Sequence, residues 1–197
     1  MSKILIATHN KHKVEEITSF LQPLGFFVMS FNDIPDAPIT IEDQPSMEGN
    51  ALKKAREAYA ATGILTLADD SGLEVYYLEM QPGVYSARYA GEHVTFDDNN
   101  RKLLNALKGV PPRRRHARFR TVVAIVGKGI ERTADGIVEG RILESPRGLQ
   151  GFGYDPLFVP AGHSKTYAEL TLAEKNTISH RARALNKAVE ILHTITT

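Results

Sequence analysis

The chain contains no cysteine, which excludes disulfides, thiolate metal sites and a cysteine nucleophile. It has almost no net charge, +1 from 24 Lys and Arg against 23 Asp and Glu. Its global field therefore neither demands nor excludes an anionic partner, and no basic stripe marks a nucleic-acid binder. No apolar run approaches the roughly 18–20 residues that span a bilayer, and the opening run Lys3–Ala7 is too short for a signal-peptide core. Cytoplasmic location is therefore the expectation, with no membrane partner. Internal repeats, low-complexity tracts, a Walker P-loop and a GxGxxG fingerprint are all missing. What remains is an ordinary globular composition, 42% hydrophobic and 24% charged over 197 residues, enough for the core of one domain.

Chemistry concentrates in Leu67–Gly72, Leu-Ala-Asp-Asp-Ser-Gly, where two carboxylates follow the apolar run Ile64–Ala68. Ligands in open α/β sheets bind at the carboxyl ends of strands. Strand side chains alternate faces, so Leu65, Leu67 and Asp69 share one face and Thr66, Ala68 and Asp70 the other. One Asp then faces any given cavity, and Asp70, with the smaller residues behind it, has the roomier side. Asp, Ser and Gly also favour turns, and a turn before a next strand at Leu73–Leu78 is the plain alternative.

Around that stretch the pattern alternates. Ile4–Thr8 reads as a strand, and a helix follows with Val14, Ile17, Leu21 and Leu24 on its buried face and Gly25 as its stop. The loop between them, Thr8-His-Asn-Lys-His-Lys13, is dense in donors at a helix amino terminus. It suits an anion, or Thr8 or Asn10 simply caps the helix while the lysines sit in water. Phe26–Phe31 is a second strand, and the connection after it carries Glu42 and Asp43. A helix runs from Ser46 to Thr62, with Met47, Ala51, Leu52, Ala55 and Tyr59 inward, Asn50, Lys53, Lys54 and Arg56 as its polar side, and Gly63 at its end. Strand–helix–strand–helix–strand predicts the α/β class.

The second half departs from that alternation. Arg88 lies between Tyr85 and Tyr89, where it can clamp an anion or sit on the surface. Asp97–Lys108 reads as a helix and Pro111–Arg115 as a rigid basic linker, with a solvated connection as the plain alternative. Ala117–Val126 and Glu131–Leu143 form a long antiparallel hairpin around Gly127-Lys-Gly129, which makes the sheet mixed. Gly148–Pro156 sets glycines beside Phe152, Tyr154 and Asp155, a loop whose backbone approaches something closely. A base stacked between the two rings, with Asp155 at its edge, is one reading; a sharp turn with core aromatics is the other. Thr171-Leu-Ala-Glu174 is a capping box. Lys175, His180 and Arg181 follow at spacings that one helical face does not unite. Either the helix breaks near Ser179 or these side chains do not converge. A final amphipathic helix carries Leu185, Val189 and Leu192.

Six segments occur in order: Thr8-x-Asn10-x-x-Lys13, Asn50-Ala-x-x-Lys54-Ala, Ala68-Asp-Asp-Ser-Gly72, Pro82-Gly-Val-Tyr-Ser-Ala-Arg-Tyr89, Gly151-Phe-Gly-Tyr-Asp-Pro156 and Glu174-Lys-x-x-x-Ser-His-Arg181. Together they resemble the inosine triphosphate pyrophosphatases, the noncanonical purine nucleoside triphosphate pyrophosphatases, over nearly the whole chain. The resemblance implies a single domain over residues 1–197, an elongated two-lobed α/β fold and a homodimer. It implies a Mg²⁺-dependent hydrolase that converts ITP, dITP or XTP to the monophosphate plus pyrophosphate. The loop Thr8, His9, Asn10, Lys11, His12 and Lys13 would hold the triphosphate, with help from Lys54. Asp70 would bind the metal and activate water, Glu42 would be a second acid at the metal, and Ser71 would touch substrate. Phe152, Gly153, Tyr154 and Asp155 would hold the base, and Lys175, His180 and Arg181 would read its 6-oxo edge. The chain departs from the family pattern at His9, where relatives commonly carry Gly, and at Gly49, where they commonly carry Glu. Two rivals remain: a pyrophosphatase for modified pyrimidine or guanine nucleotides, and an inactive nucleotide-sensing or RNA-binding module on the same fold.

Overall fold

A computed structural model describes residues 3–196. Six strands form one sheet in the order β2-β1-β3-β4-β5-β6. Here β1 is Lys3–Ile6, β2 Phe27–Ser30, β3 Thr66–Val75, β4 His116–Gly127, β5 Ile130–Ile142 and β6 Phe158–Pro160. β1 pairs in parallel with β2 and β3, while β5 and β6 run antiparallel, so the sheet is mixed as expected. The helices are α1 (Lys11–Leu21), α2 (Met47–Thr62), α3 (Phe96–Ala106), α4 (Leu172–Ile178) and α5 (His180–Thr196). The chain divides into two compact units. One takes the chain up to Asp70, Thr121–Gly136 and the chain from Arg181 on; the other takes Ser71–Arg120 and Ile137–His180.

The first unit is layered by strand alternation. Ile4, Ile6, Leu67, Val123 and Ile125 pack with Ile17 and Leu21 of α1 and with Ala184, Leu185 and Leu192 of α5. Their neighbours in sequence, Leu5, Ala68, Val122 and Ala124, pack on the opposite face with Ala51, Ala55 and Ala58 of α2. The alanines of α2 let that helix approach the sheet closely. Asn10 caps α1, Ser46 caps α2, and Gly63 closes α2 in the left-handed region at φ 67°. Leu24 is not on the buried face. Gln22–Leu24 tighten into a 3₁₀ turn after α1, and the side chain is 47% exposed.

Two further expectations change. β3 is one ten-residue strand that runs straight through Asp69-Asp70-Ser71-Gly72, where strand, turn and strand were the alternative. The register with β1 ends at Leu67, but β3 also lies beside β4 in the sheet, and a strand paired in a ladder satisfies its backbone groups there, which outweighs the local turn preference. The segment Leu73–Leu78 stays extended to Val75 and then turns as Tyr76–Leu78. The basic linker is not all solvated: Arg113 and Arg114 are exposed, but Arg115 is buried. It donates to the carbonyls of Leu107 (2.8 Å), Val110 (3.0 Å) and Leu143 (2.8 Å). A guanidinium thus ties the segment after α3 to the residue that follows β5.

The second unit is built on Leu73, Leu103, Leu107, Phe119, Leu157, Phe158 and Tyr167. Its acid sensitivity can be forecast. Asp98 closes the capping box of α3, accepting from the Thr95 backbone N–H at 2.9 Å and from the Thr95 hydroxyl at 2.6 Å. These bonds hold its carboxyl down to about 2. A depressed carboxyl contributes stability above its unfolded value near 3.8 and loses it as pH falls toward the folded one. Thermal melts should therefore fall between pH 4 and pH 2, and more shallowly in Asp98→Asn; parallel curves would refute this.

Candidate active site

Alternation along β3 sends the two adjacent carboxylates to opposite faces of the first unit, each to its own cations. Asp69 follows Leu67 toward α1 and α5. Its Oδ2 accepts from Arg181 Nη2 at 3.0 Å and Nε at 3.2 Å, and lies 3.1 Å from Lys13 Nζ. The far side of the Arg181 guanidinium donates to Glu16. Burial alone would push the Asp69 carboxyl up, but Lys13, Arg181 and Lys54 outweigh it and hold it far below the usual carboxylate range. Burial would likewise lower Arg181, yet Glu16 and Asp69 hold it above its ordinary value. Asp69 is thus a permanently ionised counter-ion.

Asp70 follows Ala68 toward α2. Its Oδ2 accepts from Asn50 Nδ2 at 3.2 Å, and its Oδ1 lies 3.7 Å from Lys54 Nζ. Burial pushes its carboxyl up, Lys54 and Lys13 offset part of that, and the net direction is upward. Lys54 Nζ also donates to Glu42 Oε1 at 2.7 Å. Desolvation would lower Lys54, but Asp70 and Glu42 more than compensate, and it stays firmly protonated.

Glu42 is brought there by a loop pinned to α2. Lys53 Nζ donates to the Ile41 carbonyl (2.9 Å) and to Asp43 Oδ1 (2.8 Å), and the Gln44 N–H donates to Asn50 Oδ1 (3.0 Å). A Cβ at Gly49 would come within 2.9 Å of the Gln44 Cβ, so the glycine permits this close docking. Asn50 and Lys54, read from sequence as the polar side of α2, are buried. They stand one helical turn apart on one face, and that spacing beside an alanine-rich stripe is the signal that marks both as inward-facing. Glu16, three residues after Lys13 on α1, had the same kind of signal and was missed.

The loop before α1 resolves in part toward capping. Asn10 Oδ1 accepts from the N–H groups of His12 (3.0 Å) and Lys13 (3.3 Å), and Thr8 Oγ1 accepts from the Asn10 N–H (3.2 Å). His9 is exposed, its ring 4.8 Å from that of Phe31. Lys11 and His12 are exposed as well. Lys13 turns inward to Asp69, and burial lowers its pKa despite that carboxylate.

The second unit holds the other predicted residues. Asp155 Oδ2 accepts from the Phe152 N–H at 2.9 Å and from Lys175 Nζ at 2.6 Å. Two of the glycines make the expected close approach: a Cβ on Gly151, at φ 71°, would lie 2.1 Å from Asp155 Oδ2, and one on Gly148 would lie 2.3 Å from the Ala168 carbonyl. Tyr154 is in the core, its hydroxyl donating to the Ser86 carbonyl at 2.9 Å. Stacking between the two rings is therefore replaced by Phe152 as the half-buried ring, 5.9 Å from Phe96 and with Lys175 Nζ 5.0 Å from its centroid. The Gly153 carbonyl accepts from Asn100 Nδ2 at 3.0 Å, a contact no local pattern announced. Ser71 is half-buried. His180 is buried flat against Phe119, ring centroids 4.5 Å apart and planes 8° apart. The helix does break at Ser179, which is extended (φ −75°, ψ 157°). Lys175 and His180 thus belong to the second unit, and Arg181, the next residue, to the first.

Among the described residues no group of three or more His, Asp or Glu side chains could hold a metal ion. Glu42 and Asp70 supply two carboxylates drawn around one cation, the ammonium of Lys54. That donor set fits Mg²⁺, which typically takes one or two carboxylates and completes its shell with waters and substrate phosphates. No helix among the described residues is long and apolar enough to cross a membrane.

Comparison with known proteins matches residues 4–191 to the Ham1 family. The dITP/XTP pyrophosphatase of Desulforamulus reducens is 50% identical over 192 residues, 97% of this chain and 96% of that one. That of Geobacter sulfurreducens is 50% identical over 186 residues, 94% of each. Among solved structures, a HAM1 protein from Coxiella burnetii superposes with a TM-score of 0.88 at 37% identity, covering 98% of this chain and all of that one.

Proposed function

The chain belongs to the Ham1 family, and from that premise we propose that it hydrolyses noncanonical purine nucleoside triphosphates, ITP, dITP and XTP, to the monophosphate and pyrophosphate. The observation that carries the reading is the separation of Asp69 from Asp70. Asp69 is bound to Arg181 and Lys13 and held ionised, whereas burial raises the neighbouring Asp70 and so makes it the more basic of the two. In the reaction, water attacks the α-phosphorus and the bond to the α–β bridging oxygen breaks. Asp70 takes the proton of the attacking water, and pyrophosphate leaves with the bridging oxygen. Positioned proton transfer of this kind is worth roughly 10²–10⁴-fold. Lys54 and Lys13 supply positive charge for the phosphates, as the exposed Lys11 does at the start of α1.

Asp70 and Glu42 are the residues that would hold Mg²⁺, which when bound lowers the pKa of water and polarises phosphoryl oxygens. Recognition of the base is assigned to Phe152, Asp155, Lys175 and His180. Phe152 offers a ring, the Lys175 ammonium stands against Asp155, and His180 is fixed by stacking. Donors aimed at a 6-oxo group would face the adenine amino group unpaired, a mismatch of about 1–3 kcal/mol for each buried group. The homodimer and cytoplasmic setting that the resemblance implies belong to the same reading; sedimentation velocity tests the first.

The purified protein with Mg²⁺ should release pyrophosphate and monophosphate from ITP, dITP and XTP well ahead of ATP and GTP. Release of single phosphates would overturn the choice of bond. Tight binding of ITP without turnover would favour the sensing module, and equal rates on every nucleotide would defeat the discrimination argument.

A further inference from the structure

Lys54, assigned to the phosphates, is held by carboxylates. Its ammonium lies 2.7 Å from Glu42 Oε1 and 3.7 Å from Asp70 Oδ1, between the two carboxylates that would hold a divalent ion. Its stem rises from α2, one turn after Asn50, whose amide fixes the other oxygen of Asp70. The loop bearing Glu42 is tied to the same helix by Lys53 and Gln44. The carboxylates are thus prearranged around a monovalent cation. The other charged groups that bear on this one are Lys13 and Asp69, and those two pair with each other at 3.1 Å.

We propose that Lys54 stands in for the divalent cation in the nucleotide-free protein, holding Glu42 and Asp70 in place, and that it must release them to a phosphate oxygen of the incoming triphosphate before the metal is bound. The inference rests on the hydrolase reading and extends it to the order of binding. An ammonium and a divalent ion repel each other and compete for the same oxygens, so metal alone binds poorly. A triphosphate offers the ammonium a new acceptor, and a four-carbon stem with three rotatable donors can reach it without moving the helix. Metal and nucleotide then strengthen each other's binding by the same factor.

Titration calorimetry with Mn²⁺ alone, on the nucleotide-free protein, tests this without turnover. Lys54→Gln should bind Mn²⁺ about tenfold or more tightly than the wild type, the scale of removing one adjacent like charge. A nonhydrolysable triphosphate should tighten Mn²⁺ binding to the wild type but much less to the variant. Lys54→Met, which keeps the stem's packing, serves if the glutamine variant does not fold. Wild-type affinity equal to or greater than that of both variants would overturn the proposal. Turnover of dITP by the wild type, measured separately, decides the hydrolase reading itself.

Discussion

Replacing Arg181 by methionine should destabilise the protein by about 3 kcal/mol, the lower end of the range for removing one partner of a buried ion pair. The guanidinium binds two buried carboxylates at once, Asp69 and Glu16. Methionine keeps much of the stem's packing, so the loss is electrostatic. Lys13 remains beside Asp69, which is why the lower figure applies and why Glu16 is the group most exposed to the change. Urea denaturation of Arg181→Met should show a lower midpoint with an unchanged slope, and Glu16→Gln added to it should recover part of the loss. An unchanged midpoint in the single variant would show that the cluster contributes nothing net. Arg181 is also assigned to the base edge by family resemblance. A stability loss without a matching change in kcat/KM at low temperature would make it a brace for Asp69, and through it for Lys13.

Asp70→Asn should abolish hydrolysis, with a fall of roughly 10²–10⁴-fold in kcat, and should not destabilise the fold. The two halves of that expectation have one origin. Burial raises the Asp70 carboxyl, so folding favours its protonated form and the ionised form is a cost. The cost is absent below the unfolded pKa and complete above the folded one, so at neutral pH a neutral amide removes it. Asn50 Nδ2 can still donate to an amide oxygen at that position. Asp69→Asn provides the contrast: it takes away the acceptor of Arg181 and Lys13 and should lower the unfolding midpoint. Activity of Asp70→Asn within tenfold of wild type would remove Asp70 from the proton transfer. A loss of stability equal to that of Arg181→Met would mean that its ionised form is structural.

The elements and the facing of their side chains were legible in the sequence because their causes are local. Strand alternation alone predicted that Asp69 and Asp70 would part company. Asn10, Gly63 and the Thr171–Glu174 box marked helix ends, since a cap needs partners only two to four residues away. The break at Ser179 stood as one of two options, and the extended backbone there decides it. Tertiary structure alone decided which carboxylate is locked and which is raised, because Arg181 lies 112 residues from Asp69 and 165 from Glu16. It also decided that Lys54 and Arg115 are buried and that Tyr154 belongs to the core. A local pattern records how a residue sits on its own helix or strand. The charge state and accessibility of a buried group depend on what distant chain is packed against it, and folding is what brings that chain there.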